Sequence, residues 1–313
     1  MGTPDFALPS FEAICESENV IGVVTQPDRP KGRKQTLTPP PIKVASLEKG
    51  VPVYQPERLK KDPLFTKILS ELSPDLIIVV AFGQILPETI LQIPKYPCIN
   101  VHSSLLPKYR GAAPIQWALV QGEVETGVTT MQMDKGMDTG PILLQRSVQI
   151  DSDETAEFLS ARLAELGAEL LLETVASLKE GKLKVIPQDD ARATKAPLLK
   201  KEDGLIRWEE SAQAVYNRWR GLSPWPGTVT FFGGDRWKIP ALEMGKAEGK
   251  WGVPGEVLKL SEKGLEVAAG RGYILIKRLQ PEGKRKMTPH EYAVGHHMNK
   301  GAFLVSTRKL KNP

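Results

Sequence analysis

Asn100 and His102 stand one residue apart in the stretch CINVHSSLLPKYRG, and His102 is one of only four histidines in 313 residues. In an extended strand alternate side chains share a face, so Ile99 and Val101 point one way and Asn100 and His102 the other. An amide beside an imidazole can donate hydrogen bonds to an oxygen that gains negative charge, and the imidazole can also move a proton. A strand end capped by ordinary polar residues is the plainer account of the same pair. A third group comes from MDKGMDTGPIL, where Asp138 lies between Gly136 and Gly140, glycines that let backbone approach a ligand closely. A carboxylate near His102 would fix the ring and favour its charged form. Asp134 in the same loop competes for that role, and aspartate in a Gly-rich turn also serves turn geometry alone.

These residues need a scaffold that brings a strand end and a loop together. NVIGVVTQ (19–26), DLIIVVAF (75–82) and CINVH (98–102) are short and rich in Val and Ile, the pattern of buried parallel strands. Helical patterning over 62–73, 87–93 and 111–123 falls between them, so the expected fold is α/β with a Rossmann-like, doubly wound, mostly parallel sheet. The carboxyl ends of such strands are where open α/β sheets place ligands, and Asn100 and His102 are at one. GVTTMQM (127–133) and ILLQRSVQI (142–150) read as two further strands around the Gly-rich loop, and 153–181 as a long amphipathic helix closed by Gly181. The opening GTPDFALPSFEAI predicts a helix capped by Thr3 with Pro4 in its first turn and no strand ahead of it. A doubly wound sheet starts with a strand, so one of roughly five or six residues is expected to be missing.

Past the long helix the character changes. Residues 182–203 mix Pro and charge with little periodicity, as a linker does. GLIRW, TVTFF, GEVLKL, GLEVAAG and YILIKRLQ then alternate between Gly and Pro breaks, the mark of a small OB-like antiparallel barrel, with one helix at 211–222. The expected layout is a catalytic domain over 1–181, a linker over 182–203 and a C-terminal domain over 204–313. Residues 1–199 hold 21 Lys and Arg against 25 Asp and Glu, while 200–313 hold 21 against 12. A polyanionic partner for the C-terminal part is one reading of that asymmetry and a solvated lysine surface the other. Two cysteines, Cys15 and Cys98, make neither a disulfide framework nor a metal pattern, so no metal site is expected. No apolar run of about 18 residues and no signal peptide is present, so no membrane partner is expected and the cytosol is the expected compartment.

The motifs GTPDFA, TQPDRPKGR, VVAFGQILP, NVHSSLLPKYRGAAPIQWAL, ETGVTTMQMDKGMDTGPIL and LSPWPGT together closely resemble the methionyl-tRNA formyltransferase family, in order and over almost the whole chain. Asn-x-His followed by Ser-Leu-Leu-Pro is shared by formyltransferases that use 10-formyltetrahydrofolate, while GAAPIQ and PDRPKGR point to the tRNA member. The resemblance implies that Asn100, His102 and Asp138 are catalytic. The α-amino group of initiator methionyl-tRNA would attack the formyl carbon of 10-formyltetrahydrofolate; Asn100 and protonated His102 would stabilise the oxyanion, and Asp138 would hold His102 charged and oriented. Gln84, Ile85 and Leu86 match the segment whose backbone meets the pterin ring. Ser104, Leu105, Leu106 and Pro107 match a folate-binding segment, and plain core packing is the alternative for the apolar members of both. Arg29, Lys31, Arg33 and Lys34 sit in a long loop over 27–41 that the family uses on the tRNA, with Arg33 the expected key contact. Lys277, Arg278, Lys284, Arg285 and Lys286 would add a second positive surface. His290 and the His296-His297 pair match no catalytic motif. A monomer is expected, in a bacterial cytosol or an organelle matrix. A folate-dependent N-formyltransferase acting on an amino sugar nucleotide would share the three catalytic residues, but has no need of the basic loop or the positive C-terminal third.

Overall fold

The computed structural model describes residues 1–32, 35–296 and 298–307. Its first unit comprises residues 1–114, 125–150 and 159–197. Thr3 does not cap a helix: Pro4 is extended, with φ −82° and ψ 176°, and the Thr3 hydroxyl donates to the carbonyl of Phe82 at 2.9 Å. The helix begins later, as a 3-10 turn at Asp5–Ala7 that runs into α1 (Leu8–Ser17), where Pro9 fills a first-turn position that needs no amide hydrogen. Met1 and Gly2 are themselves extended, and the amides of Gly2 and Val80 donate to the carbonyls of Val24 and Met1 at 3.0 and 2.9 Å.

β1 (Val23–Val24) is followed by a hairpin of β2 (Arg29–Lys31) and β3 (Thr36–Thr38), then by α2 (Pro41–Glu48) and β4 (Val53–Tyr54), which pairs in parallel with β1. α3 (Pro63–Leu72) starts where the Asp62 carboxylate accepts from the Phe65 amide at 2.8 Å, and it buries Phe65 and Leu69. β5 (Ile78–Val80), α4 (Glu88–Leu91) and β6 (Ile99–His102) complete a strand-helix-strand unit in which β5 and β6 are parallel. β7 (Arg110–Gly111) and α5 (Pro114–Gln121) precede β8 (Glu125–Gln132) and β9 (Ile142–Gln149). β8 lies antiparallel to β6 with Thr129 opposite His102, and the sheet runs β5-β6-β8-β9. α6 (Ala156–Lys179) carries Gly167, where an added Cβ would lie 3.1 Å from a Val101 methyl; the missing side chain lets the helix close on β6.

The stretch read as a linker is not slack. Ile186 exchanges backbone hydrogen bonds with Ile142, and β10 (Lys195–Ala196) pairs in parallel with β7.

The second unit comprises residues 115–124, 151–158 and 198–313. α7 (Ala212–Leu222) is capped by Ser211 and accompanies β11 (Thr228–Phe232), β12 (Asp235–Lys246), β13 (Val257–Ser261), β14 (Gly264–Ala268), β15 (Tyr273–Pro281), α8 (Pro289–Ala293) and β16 (Leu304–Val305). The antiparallel sheet runs β13-β14-β15-β12-β11-β16, and its two edges meet: Val257 donates to Ala302 at 2.8 Å and Gly301 to Val257 at 2.9 Å. Closing the edges buries Trp208, Trp237, Val267, Ile274 and Ile276. GLIRW is no strand; it leads from a 3-10 turn at Lys201–Gly204 and meets the sheet through a bridge between Leu205 and Val229 and through Trp208 Nε1, which donates to the Thr230 hydroxyl at 2.9 Å. Among the described residues no helix is long and apolar enough to cross a membrane.

Candidate active site

β6 brings Asn100 and His102 to its carboxyl end, with His102 buried and Asn100 half-buried. Asp138 reaches both. Its Oδ1 accepts from Asn100 Nδ2 at 3.5 Å and its Oδ2 lies 3.7 Å from His102 Nδ1. The second distance is too long for a hydrogen bond and lies within ion-pair range of the ring when the ring carries a second proton. A second donor fixes the carboxylate, since the Gly111 amide gives to Oδ2 at 2.8 Å. Gly111 has φ +127°, and an added Cβ would sit 2.5 Å from the Ala196 carbonyl oxygen, so only glycine allows this approach. Asp138 is itself left-handed at φ +55°, a conformation aspartate tolerates at a cost of about 1 kcal/mol.

The histidine ring is oriented from its other side. His102 Nε2 lies 3.0 Å from the Tyr109 carbonyl oxygen. A carbonyl can only accept, so Nε2 carries the hydrogen and Nδ1 is the edge turned to Asp138. In the protonated ring both nitrogens are donors: one is held by backbone and the other faces the carboxylate.

Asp134 does something else. It accepts from the Gly136 amide at 2.9 Å and from the Thr139 hydroxyl at 2.8 Å, closing the turn that presents Asp138.

The remaining expected site residues flank this cluster in the chain. Gln84, Ile85 and Leu86 follow β5, and among the described residues their backbone amides and carbonyls pair with no other protein group. The Gln84 side chain is used internally: it accepts from the Leu59 amide at 2.9 Å and donates to the Pro56 carbonyl at 3.2 Å. Ile85 is exposed and Leu86 buried. A flat heterocycle with donors and acceptors along one edge fits such unpaired backbone. The 104–107 loop is tied down instead. Ser104 donates to Lys108 and accepts from Thr129, whose hydroxyl also takes the Leu106 amide at 3.1 Å. Gln145 donates to the Leu106 carbonyl at 2.8 Å, and Leu106 is core while Leu105 is half-buried. Pro107 follows Leu106 through a cis peptide. Thr129 lies unmarked within ETGVTTMQM and Gln145 in no motif; the register, with Thr129 opposite His102 on one side and Gln145 on the other, reveals their polar contacts.

Arg29 and Lys31 are exposed on the β2–β3 hairpin, while Arg33 and Lys34 lie outside the described residues. At the hairpin base Asp28 accepts two bonds from Lys43 Nζ and one from Gln55, all at 2.8 Å. The Gln55 bond, then Lys43, hold the Asp28 carboxyl below the usual carboxylate range. Cys98, one strand turn before Asn100, is buried, and burial pushes its thiol up to about 11. Among the described residues no three His, Cys, Asp or Glu gather as metal ligands do.

Residues 9–175 match the Formyl transferase family and residues 198–297 the family described as Formyl transferase, C-terminal domain. The methionyl-tRNA formyltransferase of Trichlorobacter lovleyi is 48% identical over 306 residues, 97% of this chain and 96% of its own length. That of Geotalea uraniireducens is 50% identical over 305 residues, again 97% of this chain and 96% of its own length. In structure the chain is similar to WlaRD, a sugar 3N-formyl transferase, with TM-score 0.65 and 19% identity over 91% of this chain and 97% of WlaRD; at that identity the likeness is one of fold. With near-complete coverage at close to half identity, this chain belongs to the methionyl-tRNA formyltransferase family.

Proposed function

We propose that this chain transfers the formyl group of 10-formyltetrahydrofolate to the α-amino group of initiator methionyl-tRNA in a bacterial-type cytosol, acting as a monomer. The observation that carries the mechanism is the convergence of Asn100 Nδ2, His102 Nδ1 and the Asp138 carboxylate at the carboxyl end of β6. The amine lone pair bonds to the formyl carbon, the carbon's bond to the folate nitrogen breaks, and the proton lost by the amine ends on that nitrogen. Asn100 and protonated His102 face the formyl oxygen as it gains charge, each contributing about 10² to 10³ in rate. Asp138 opposes the positive ring, and the Tyr109 carbonyl keeps the ring from turning. The unpaired backbone of 84–86 holds the pterin, and the hairpin over 29–38 engages the acceptor end of the tRNA through its cations.

Single-turnover formyl transfer tests this reading. The expected result is a loss of two orders of magnitude or more in His102→Ala, with tRNA use weakened and the chemical step preserved in Arg33→Ala. Transfer by the unmodified chain only to amino sugar nucleotides would overturn the tRNA assignment. Full activity in His102→Ala would overturn the mechanism.

A further inference from the structure

Gln188 sits in the stretch between the two family matches, 9–175 and 198–297, and both ends of its amide are used. Its Nε2 donates to the carbonyls of Asp138 at 2.8 Å and Gly140 at 2.7 Å, the backbone that carries the candidate carboxylate. Its Oε1 accepts from Arg110 Nε at 2.9 Å and from a terminal nitrogen of the same guanidinium at 2.8 Å. Arg110 directly follows Tyr109, whose carbonyl orients His102, and directly precedes Gly111, whose amide holds Asp138. One side chain therefore bridges the two loops that set the distance between His102 and Asp138. The chain around it repeats the connection: Ile186 bonds Ile142, Thr194 receives the Tyr109 amide on its hydroxyl at 2.8 Å, and β10 lies against β7. The Arg110 side chain is largely covered, and it also donates to the exposed Asp190 carboxylate of the same segment at 2.8 Å. With Gln188 and Asp190 both engaging it, the guanidinium is a strut.

We propose that Gln188 is a positioning residue for formyl transfer, acting through Asp138 by holding the 138–140 backbone in register with the 109–111 backbone. The proposal rests on the reading of Asn100, His102 and Asp138 given above. Reaction rates fall steeply when a charged group is displaced by about 1 Å, which is the scale of movement that losing two carbonyl clamps permits.

Two substitutions separate positioning from general stability. Gln188→Met keeps length and volume and removes every hydrogen bond. Gln188→Glu keeps, and charges, the acceptor end for Arg110, but loses both donations to carbonyls. Both are expected to lower kcat by about 10- to 100-fold with KM for folate and for tRNA within about 3-fold, and with thermal midpoints within a few degrees of the parent. In an Asp138→Ala background the further loss from Gln188→Met is expected to shrink below about 3-fold, because residues acting through one group are not additive. The proposal is overturned if Gln188→Met or Gln188→Glu retains kcat within about 2-fold while His102→Ala is inactive, or if the losses multiply in the double variant. Full activity in His102→Ala would instead bring down the catalytic reading, and this proposal with it.

Discussion

Asp134 and Asp138 lie four positions apart in one loop and do opposite work. Asp134 turns back onto the Gly136 amide and the Thr139 hydroxyl; Asp138 turns out to Asn100, His102 and the Gly111 amide. Asp138→Asn removes the negative charge opposite His102, so kcat is expected to drop by about 10² or more. Asp134→Asn is expected to leave kcat within about 2-fold and to lower stability by about 1 kcal/mol. Steady-state kinetics and denaturant unfolding on the pair check both. Cys98, immediately before β6, offers a pH signature. Its buried thiol stays protonated to about 11 in the folded chain, while an unfolded thiol ionises near 9. Between those values the unfolded state has lost a proton that the folded state keeps, so stability falls as pH rises through that window, by on the order of 2 to 3 kcal/mol. Cys98→Ala is expected to flatten that part of the stability–pH curve in urea titrations.

At the scale of elements, the basic hairpin depends on its base. Asp28 joins the irregular segment leading into β2 to Lys43 on α2 and to Gln55 just after β4. Asp28→Ala is expected to raise KM for tRNA several-fold with kcat at saturation unchanged. Because the Asp28 carboxyl is held below the usual range, the anchor is present above ordinary carboxylate pH and is released only as pH falls through that lowered value. The same elements show what the sequence could and could not say. Strand β5 was legible as an unbroken Val and Ile run, because burial on both faces demands that composition, and β6 as an alternation that puts Asn100 and His102 on one face. β12 was missed because Pro240 interrupts it; the structure absorbs the proline at a register shift between Lys238 and Ala241, where a ladder bond is not needed. The Thr3 cap failed because its hydroxyl had a tertiary acceptor, the Phe82 carbonyl, that no local pattern encodes. The choice of Asp138 over Asp134 rested on the family resemblance, since spacing in a Gly-rich loop left both open. Gln188 and Gln145 left no trace, and Thr129 stood unmarked within a motif, because each makes its contacts far away in sequence.

For the molecule as a whole, residues 200–313 carry a net +9; among the described residues their sheet closes edge to edge, so it offers no open strand pairing, and Arg218 and Arg220 are buried. Lys277 is partly engaged by Glu243 at 3.6 Å and Arg285 by Glu291 at 3.3 Å, so neither is a wholly unopposed charge. Binding of tRNA is expected to weaken steeply with salt. Replacing Lys284, Arg285 and Lys286 with Gln together is expected to lower the slope of log K against log salt by about one per lost phosphate contact, measured by filter binding across a salt series.

The backbone pairing of β10 with β7, and of Ile186 with Ile142, also bears on how such a protein may be recombined. A seam cut just after α6 would keep Asn100, His102 and Asp138 in one parent and hand the strap that ties their loops to the other. Two such chains exchanged at that seam would each keep the three proposed catalytic residues and receive a foreign clasp. A joint after Pro197 keeps the strap with the loops it ties, while residues 115–124 and 151–158 of the second unit then stay with the first parent.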